Sequence, residues 1–282
     1  SLDCQYWEIF RKMIKFKTSH NMKYLQTILT CTCILLITSC SKNKLEDKGF
    51  QVGPTPENEE NDQASGINSD SLKFNTRPGS VLLTGIPNIR LTTIYKVNIN
   101  KRDNTTFIGS NNFYYLYEEY EVNDGNNWND NLIPGLEAVY GYNIVNISHY
   151  DIKEQKQKNL FENPVLVKTL YYPTFSKDTL NNNPANRNYI MVSVYDDDTN
   201  KDGFINQNDL RRFYLFNING EKQMALIPEN YSVIKSEYDS DNDFMYVFAK
   251  LDANNNGQQD ESEPIHIYWI DLKDPSKTGR QY

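Results

Sequence analysis

The chain is predicted to carry an all-β domain of repeated antiparallel meanders, and three observations lead there. From about Val81 onward, Tyr, Ile, Val and Phe occur in short runs separated by Asn, Asp, Gly and Pro. Such runs have strand length and the β-branched and aromatic content that suits a pleated, half-buried surface. No stretch there keeps a 3.6-residue apolar period over three turns, so helices are not expected. The sequence also repeats itself: residues 189–220 shifted by 54 fall without gaps on residues 243–274.

The strands follow in order. Leu91-Thr-Thr-Ile-Tyr-Lys-Val, Phe113-Tyr-Tyr-Leu-Tyr, Asn143-Ile-Val-Asn-Ile and Leu166-Val-Lys-Thr-Leu-Tyr-Tyr172 come first. Tyr189-Ile-Met-Val-Ser-Val-Tyr195, Phe213-Tyr-Leu-Phe, Phe244-Met-Tyr-Val-Phe and Ile265-His-Ile-Tyr-Trp-Ile complete the series. Within the repeat, strand lies on strand and loop on loop. Phe213-Tyr-Leu-Phe-Asn-Ile-Asn-Gly aligns with Ile267-Tyr-Trp-Ile-Asp-Leu-Lys-Asp. Ile147-Ser-His-Tyr-Asp-Ile-Lys-Glu is a weaker third copy, read as the outer strand of its unit. Several strands per unit at a period of 40–60 residues is a propeller-like signature. A β-sandwich is the alternative, because only three units are visible and residues 81–140 stay unassigned. The strand–Asp/Asn–aliphatic–turn run resembles the outer strands of bacterial WD-like, TolB-type propeller repeats. That resemblance covers 143–273 and is strongest over 217–223.

Two twelve-residue loops sit at matching points of the repeat, with strands rather than helices on their flanks. Loop 1 is Asp198-Thr-Asn-Lys-Asp-Gly-Phe-Ile-Asn-Gln-Asn-Asp209; loop 2 is Asp252-Ala-Asn-Asn-Asn-Gly-Gln-Gln-Asp-Glu-Ser-Glu263. Each places oxygen-bearing side chains at positions 1, 3, 5, 9 and 12 and glycine at 6, the spacing that wraps hard donors around Ca2+. The expected ligands in loop 1 are Asp198, Asn200, Asp202, the Phe204 carbonyl, Asn206 and Asp209. In loop 2 they are Asp252, Asn254, Asn256, the Gln258 carbonyl, Asp260 and Glu263. Both loops resemble EF-hand loops, and they depart from that pattern differently. Loop 1 ends in Asp209 where glutamate is usual, which puts bidentate reach in doubt. Loop 2 carries amides at 3 and 5 and Gln259 where an apolar residue is usual. Without paired helices nothing swings open, so a stabilising role for Ca2+ is expected rather than a sensor. Asp239-Ser-Asp-Asn-Asp243 lacks the glycine and reads as an acidic hairpin turn.

The N-terminus gives an address. Met22 to Cys40 has a basic start, an apolar run and small residues before a cysteine, the layout of an export signal. Leu36-Ile-Thr-Ser-Cys40 resembles the lipobox of bacterial lipoproteins, which implies cleavage before Cys40 and acylation of its thiol. Residues 1–39 are then leader and 40–79 a lipidated tether. Low apolar content with Pro, Gly and Glu does not offset the entropy of ordering, and such a chain reaches roughly 35 Å. Residues 80–282 form the β domain. The implied location is the cell envelope, lipid-anchored in the outer membrane and facing the periplasm or the outside.

All four cysteines lie at or before position 40, so the mature chain has no disulfide, and bound Ca2+ is an alternative source of stability. Removing residues 1–39 leaves 24 basic against 35 acidic side chains, a net −11. That charge argues against nucleic acid. His149 and His266 lie in strands without metal-ligand spacing, and no G-x-S-x-G, P-loop, HExxH or dinucleotide motif occurs. Trp128, in a polar loop, is the candidate contact for a protein or glycan partner. The reading is an exported, lipid-anchored, calcium-binding module without catalysis. An exported hydrolase acting on polysaccharide is the alternative.

Overall fold

A computed structural model describes residues 49–51, 74–99, 106–108, 111–113, 133–141 and 143–282. Cys40, Trp128 and most of the leader and tether lie outside the described residues. The described residues contain nineteen strands and no helix.

Three meanders of four strands make up most of the chain. After β1 (Phe50–Gln51), the first begins with β2 (Thr76–Leu83) and β3 (Ile89–Ile99). It is interrupted by β4 (Thr106–Ile108), β5 (Asn111–Phe113) and β6 (Leu136–Gly141), then completed by β7 (Ile144–Asp151) and β8 (Lys156–Asn159). The second starts with β9 (Leu166–Pro173), passes through a small hairpin of β10 (Thr179–Leu180) and β11 (Asn183–Pro184), and continues with β12 (Tyr189–Tyr195). Then come β13 (Phe204–Ile205), β14 (Arg212–Asn217) and β15 (Lys222–Ala225). The third is β16 (Tyr231–Asp239), β17 (Phe244–Leu251), β18 (Ile265–Asp271) and β19 (Thr278–Arg280). Strand order is β2-β3-β7-β8, β9-β12-β14-β15 and β16-β17-β18-β19, all antiparallel, and no sheet closes on itself. β6 leaves the first unit and pairs with β9, which extends the second sheet.

The sheets stack as three layers with two large cores between them and a small third core at one edge. Strand alternation divides β12 between them: Ile190, Val192 and Val194 enter one core, Tyr189 and Met191 the other. In β14, Tyr214 and Phe216 face the first sheet while Phe213 and Leu215 face the third. The middle sheet is therefore covered on both sides, and every residue of β9 and β12 is buried. This explains why 189–195 reads as an apolar run broken only by Ser193 rather than an alternating one. Each fully buried aliphatic or aromatic side chain contributes about 1.5–3 kcal/mol, so the middle sheet anchors the stack.

The repeated run 147–154, 213–220 and 267–274 occupies the third strand and following turn of each unit, not the outermost strand that was expected. Its Asp or Asn closes the turn. Asp151 Oδ1 accepts from the amides of Lys153 and Glu154 at 2.8 and 3.1 Å; Asn217 Oδ1 accepts from Glu221 at 3.0 Å; Asp271 Oδ1 accepts from Lys273 at 2.9 Å. The outer strands β8, β15 and β19 are short and mostly polar, as edges that avoid further pairing should be. The folded region also begins earlier than residue 80. β2 starts at Thr76, and Phe50–Gln51, within the segment read as tether, pairs with Phe204–Ile205.

Candidate metal centre

Both twelve-residue loops join the second strand of a meander to the third: loop 1 runs from β12 to β14 and loop 2 from β17 to β18. Their backbones match through the first six positions and diverge at positions 7 and 8, where Phe204–Ile205 pair with β1 and Gln258–Gln259 form no strand. Position 4 has positive φ in both, at Lys201 (59°) and Asn255 (57°), as does the glycine at position 6, Gly203 (88°) and Gly257 (73°). Positive φ at a sharp turn is tolerated by glycine and, at lower frequency, by asparagine.

The donor groups match as well. At position 1, Asp198 accepts from the amides of Asp202 and Gly203 at 3.0 and 2.9 Å, and Asp252 accepts from Asn256 and Gly257 at 3.0 Å each. At position 3, Asn200 and Asn254 accept from the amide at position 5, at 3.0 and 2.9 Å. At position 5, Asp202 and Asn256 accept from Phe204 and Gln258, at 2.9 and 2.8 Å. At position 12, Asp209 bridges the amides of Thr199 and Asn206 at 2.9 and 2.8 Å. Glu263 bridges Ala253 and Asp260 at 3.0 and 3.1 Å. The shorter Asp209 thus spans the same two backbone positions as Glu263.

Position 9 differs. Asn206 accepts from Asn208 N at 2.7 Å, whereas Asp260 is drawn across its loop by the amide groups of Asn254 and Asn256, at 2.9 and 2.8 Å. Among the described residues no three His, Cys, Asp or Glu side chains form a metal-holding group. Each loop carries three carboxylates, Asp198, Asp202 and Asp209 in the first and Asp252, Asp260 and Glu263 in the second, and the structure does not gather three of them on one point.

The charge pattern is uneven. Among the described residues, Asp198, Asp202, Asp209, Asp252, Asp260 and Glu263 form no ion pair with Lys, Arg or His. Burial pushes the Asp209 carboxyl above its ordinary range, against the pull of three backbone amides, and neighbouring Asp198 adds to the rise. Burial also raises Asp196, just ahead of loop 1, although Tyr214 donates to it at 2.7 Å and Lys222 lies 4.0 Å away.

The loops touch each other, a contact with no local signature in the sequence. Thr199 Oγ1 donates to the Gly257 carbonyl at 2.6 Å and accepts from Leu210 N at 2.8 Å. Gly257 is pressed against loop 1 so closely that a Cβ there would lie 1.9 Å from the Thr199 carbonyl oxygen. Hydrogen bonds therefore run without a break from Asp209 through Thr199 and Gly257 to Asp252. Loop 1 is covered from outside by β1, and Phe50 and Ile205 share a small core with Leu166 and Tyr195. Beside the junction lies a polar cavity of about 360 Å³ lined by both loops, Tyr195, Ile234 and Arg211.

Asp243, in the run expected to be only an acidic turn, is buried and functions structurally. Arg187 donates Nη1 and Nη2 to its two carboxylate oxygens at 2.9 and 2.7 Å, and Tyr238 adds a third bond at 3.2 Å. Both histidines behave as packing residues: His149 contacts the Ile218 carbonyl at 2.9 Å and His266 the Tyr231 hydroxyl at 2.8 Å.

No protein-family model matches the chain, and no curated protein matches it. Among solved structures it is similar to dipeptidyl peptidase 4 of Porphyromonas gingivalis, at 10% identity and TM-score 0.19, over 76% of this chain and 34% of that one. The chain spans about a third of that protein's length, and a likeness this slight carries no argument.

Proposed function

We propose that this protein is a calcium-stabilised binding or structural module of the bacterial cell envelope, held to the membrane through a lipid on Cys40. The observation that supports the metal most is a mismatch of charge. Two loops with matching turn geometry place six carboxylates at one end of the second and third sheets, and among the described residues none of the six is ion-paired. Carboxylates held close together without a counter-charge are costly, and a divalent ion relieves that cost. The ligands are Asp198, Asn200, Asp202, the Phe204 carbonyl, Asn206 and Asp209 for one ion. Asp252, Asn254, Asn256, the Gln258 carbonyl, Asp260 and Glu263 serve the other. The stacking of consecutive four-stranded meanders supports a propeller-like reading, each meander standing as one blade. The lipobox residues lie outside the described structure, so the envelope address rests on the sequence.

Thermal melting of the purified chain in millimolar Ca2+, in Mg2+ and in chelator tests the metal reading. A rise in Tm with Ca2+ alone is expected; a Tm indifferent to all three overturns it.

A further inference from the structure

We infer that the cavity at the junction of the two loops binds a sugar carboxylate of the uronic-acid type, with Arg211 as its anchor. This rests on the calcium reading, because both loops form its walls. Arg211 is 3% exposed and lines the cavity, yet it forms no ion pair among the described residues. Its orientation is fixed: Nε donates to the Val233 carbonyl at 2.6 Å and Nη2 to the Ile234 carbonyl. Those two carbonyls lie where the β16–β17 register shifts, so part of the guanidinium caps a bulge. Nη1, with two N–H groups, has no acceptor among the described residues. A guanidinium fixed by two backbone carbonyls, with its remaining nitrogen open to the cavity, is suited to take a planar carboxylate.

The remaining lining favours a hydroxylated molecule around that carboxylate. Gln207, Asn208, Gln258 and Gln259 contribute four side-chain amides, three of them with no bond to another side chain. Gln259 Oε1 accepts from Ser232 at 3.2 Å and keeps its amide N–H groups for other partners. Amides both donate and accept, as sugar hydroxyls do. The Tyr195 ring and Ile234 add the apolar surface that a pyranose ring packs on. A volume of about 360 Å³ suits one or two sugar rings.

Calcium is tied to this cavity through the chain. Gln258 offers its carbonyl to the ion and its side chain to the cavity, and Gln207 and Asn208 sit between the ligand positions Asn206 and Asp209. The ions also offset the acidic loops, which otherwise repel an anion. Uronate binding is therefore calcium-dependent.

The test is calorimetric titration of the full chain with D-glucuronate, D-glucose and N-acetylglycine, in Ca2+ and in chelator, with Tm measured in parallel. In Ca2+, glucuronate binds at least about tenfold more tightly than either of the others, and chelator abolishes this. Arg211→Lys keeps the charge but not the fork, and weakens glucuronate by more than about tenfold. Should that variant melt early, the exposed pair Asn208→Ala and Gln258→Ala provides the same readout with the fold intact. Glucose or N-acetylglycine binding as well as glucuronate overturns the ligand class. Absence of glucuronate binding by a chain whose Tm has risen with Ca2+ overturns the inference and leaves the metal reading standing. A Tm indifferent to Ca2+ overturns the metal reading, and with it the calcium dependence claimed for the cavity.

Discussion

The second and third sheets are pinned together at both ends of β12 and β17, and the two ends use opposite solutions. Just before those strands, Arg187 and Asp243 meet in a bidentate pair, each side chain 3% exposed. Arg187 also donates to the Leu272 and Pro134 carbonyls at 2.6 and 3.0 Å, and Tyr189 donates to Leu272 at 2.7 Å. Here the chain provides its own cation and the cluster is complete. Just after those strands, about 20 Å away by strand rise, the two loops carry six carboxylates, and among the described residues none of them is ion-paired, Lys201 of loop 1 included. On the calcium proposal, a cluster of this kind is completed from outside. The contrast teaches that acidic residues alone do not indicate a metal: Asp243 sits in an acidic run and is fully served by arginine.

That comparison breaks most visibly at the closed end. Arg187→Ala leaves Asp243 buried and uncompensated and should cost about 3–5 kcal/mol. Urea unfolding should show the same loss in Ca2+ and in chelator, because no ion acts there. At the open end, Asp209→Ala strips acceptors from three backbone amides and should cost about 2–3 kcal/mol. Its loss should be larger in Ca2+ than in chelator, since the variant also forgoes the ion. Removing Ca2+ from the unaltered chain should cost about 1.4 kcal/mol per site at ten times Kd, or about 3–6 °C in Tm per site. The smallest effect belongs to Thr199→Val, which keeps the shape but loses the hydroxyl between the loops. It should cost about 1 kcal/mol, and the two ions should then bind independently in a titration that is otherwise coupled.

Much of this was legible along the chain because it is local and repeated. The shift of 54 residues places β12 on β17, β14 on β18 and loop 1 on loop 2, and all three correspondences hold in the structure. Stacked neighbouring units bring matching loops together, so the Thr199–Gly257 contact follows once stacking is granted. Other features leave no local trace. Residues 76–99 belong with 144–159 in one sheet, but the intervening insertion hides this. β6 pairs outside its own unit, and β1 is two residues long in a polar segment. The partners Arg187 and Asp243 lie 56 residues apart and are joined only by the fold. Arg211 reads as one more charged residue until the bulge it caps is seen.

The calcium proposal is that the open end takes Ca2+ where the closed end takes none, and calorimetric titration of the purified chain counts the ions. Two ions per chain are expected, falling to one in Asp198→Ala/Asp202→Ala and to one in Asp252→Ala/Glu263→Ala. No heat and no bound ion at millimolar Ca2+ would contradict the metal centre at both loops.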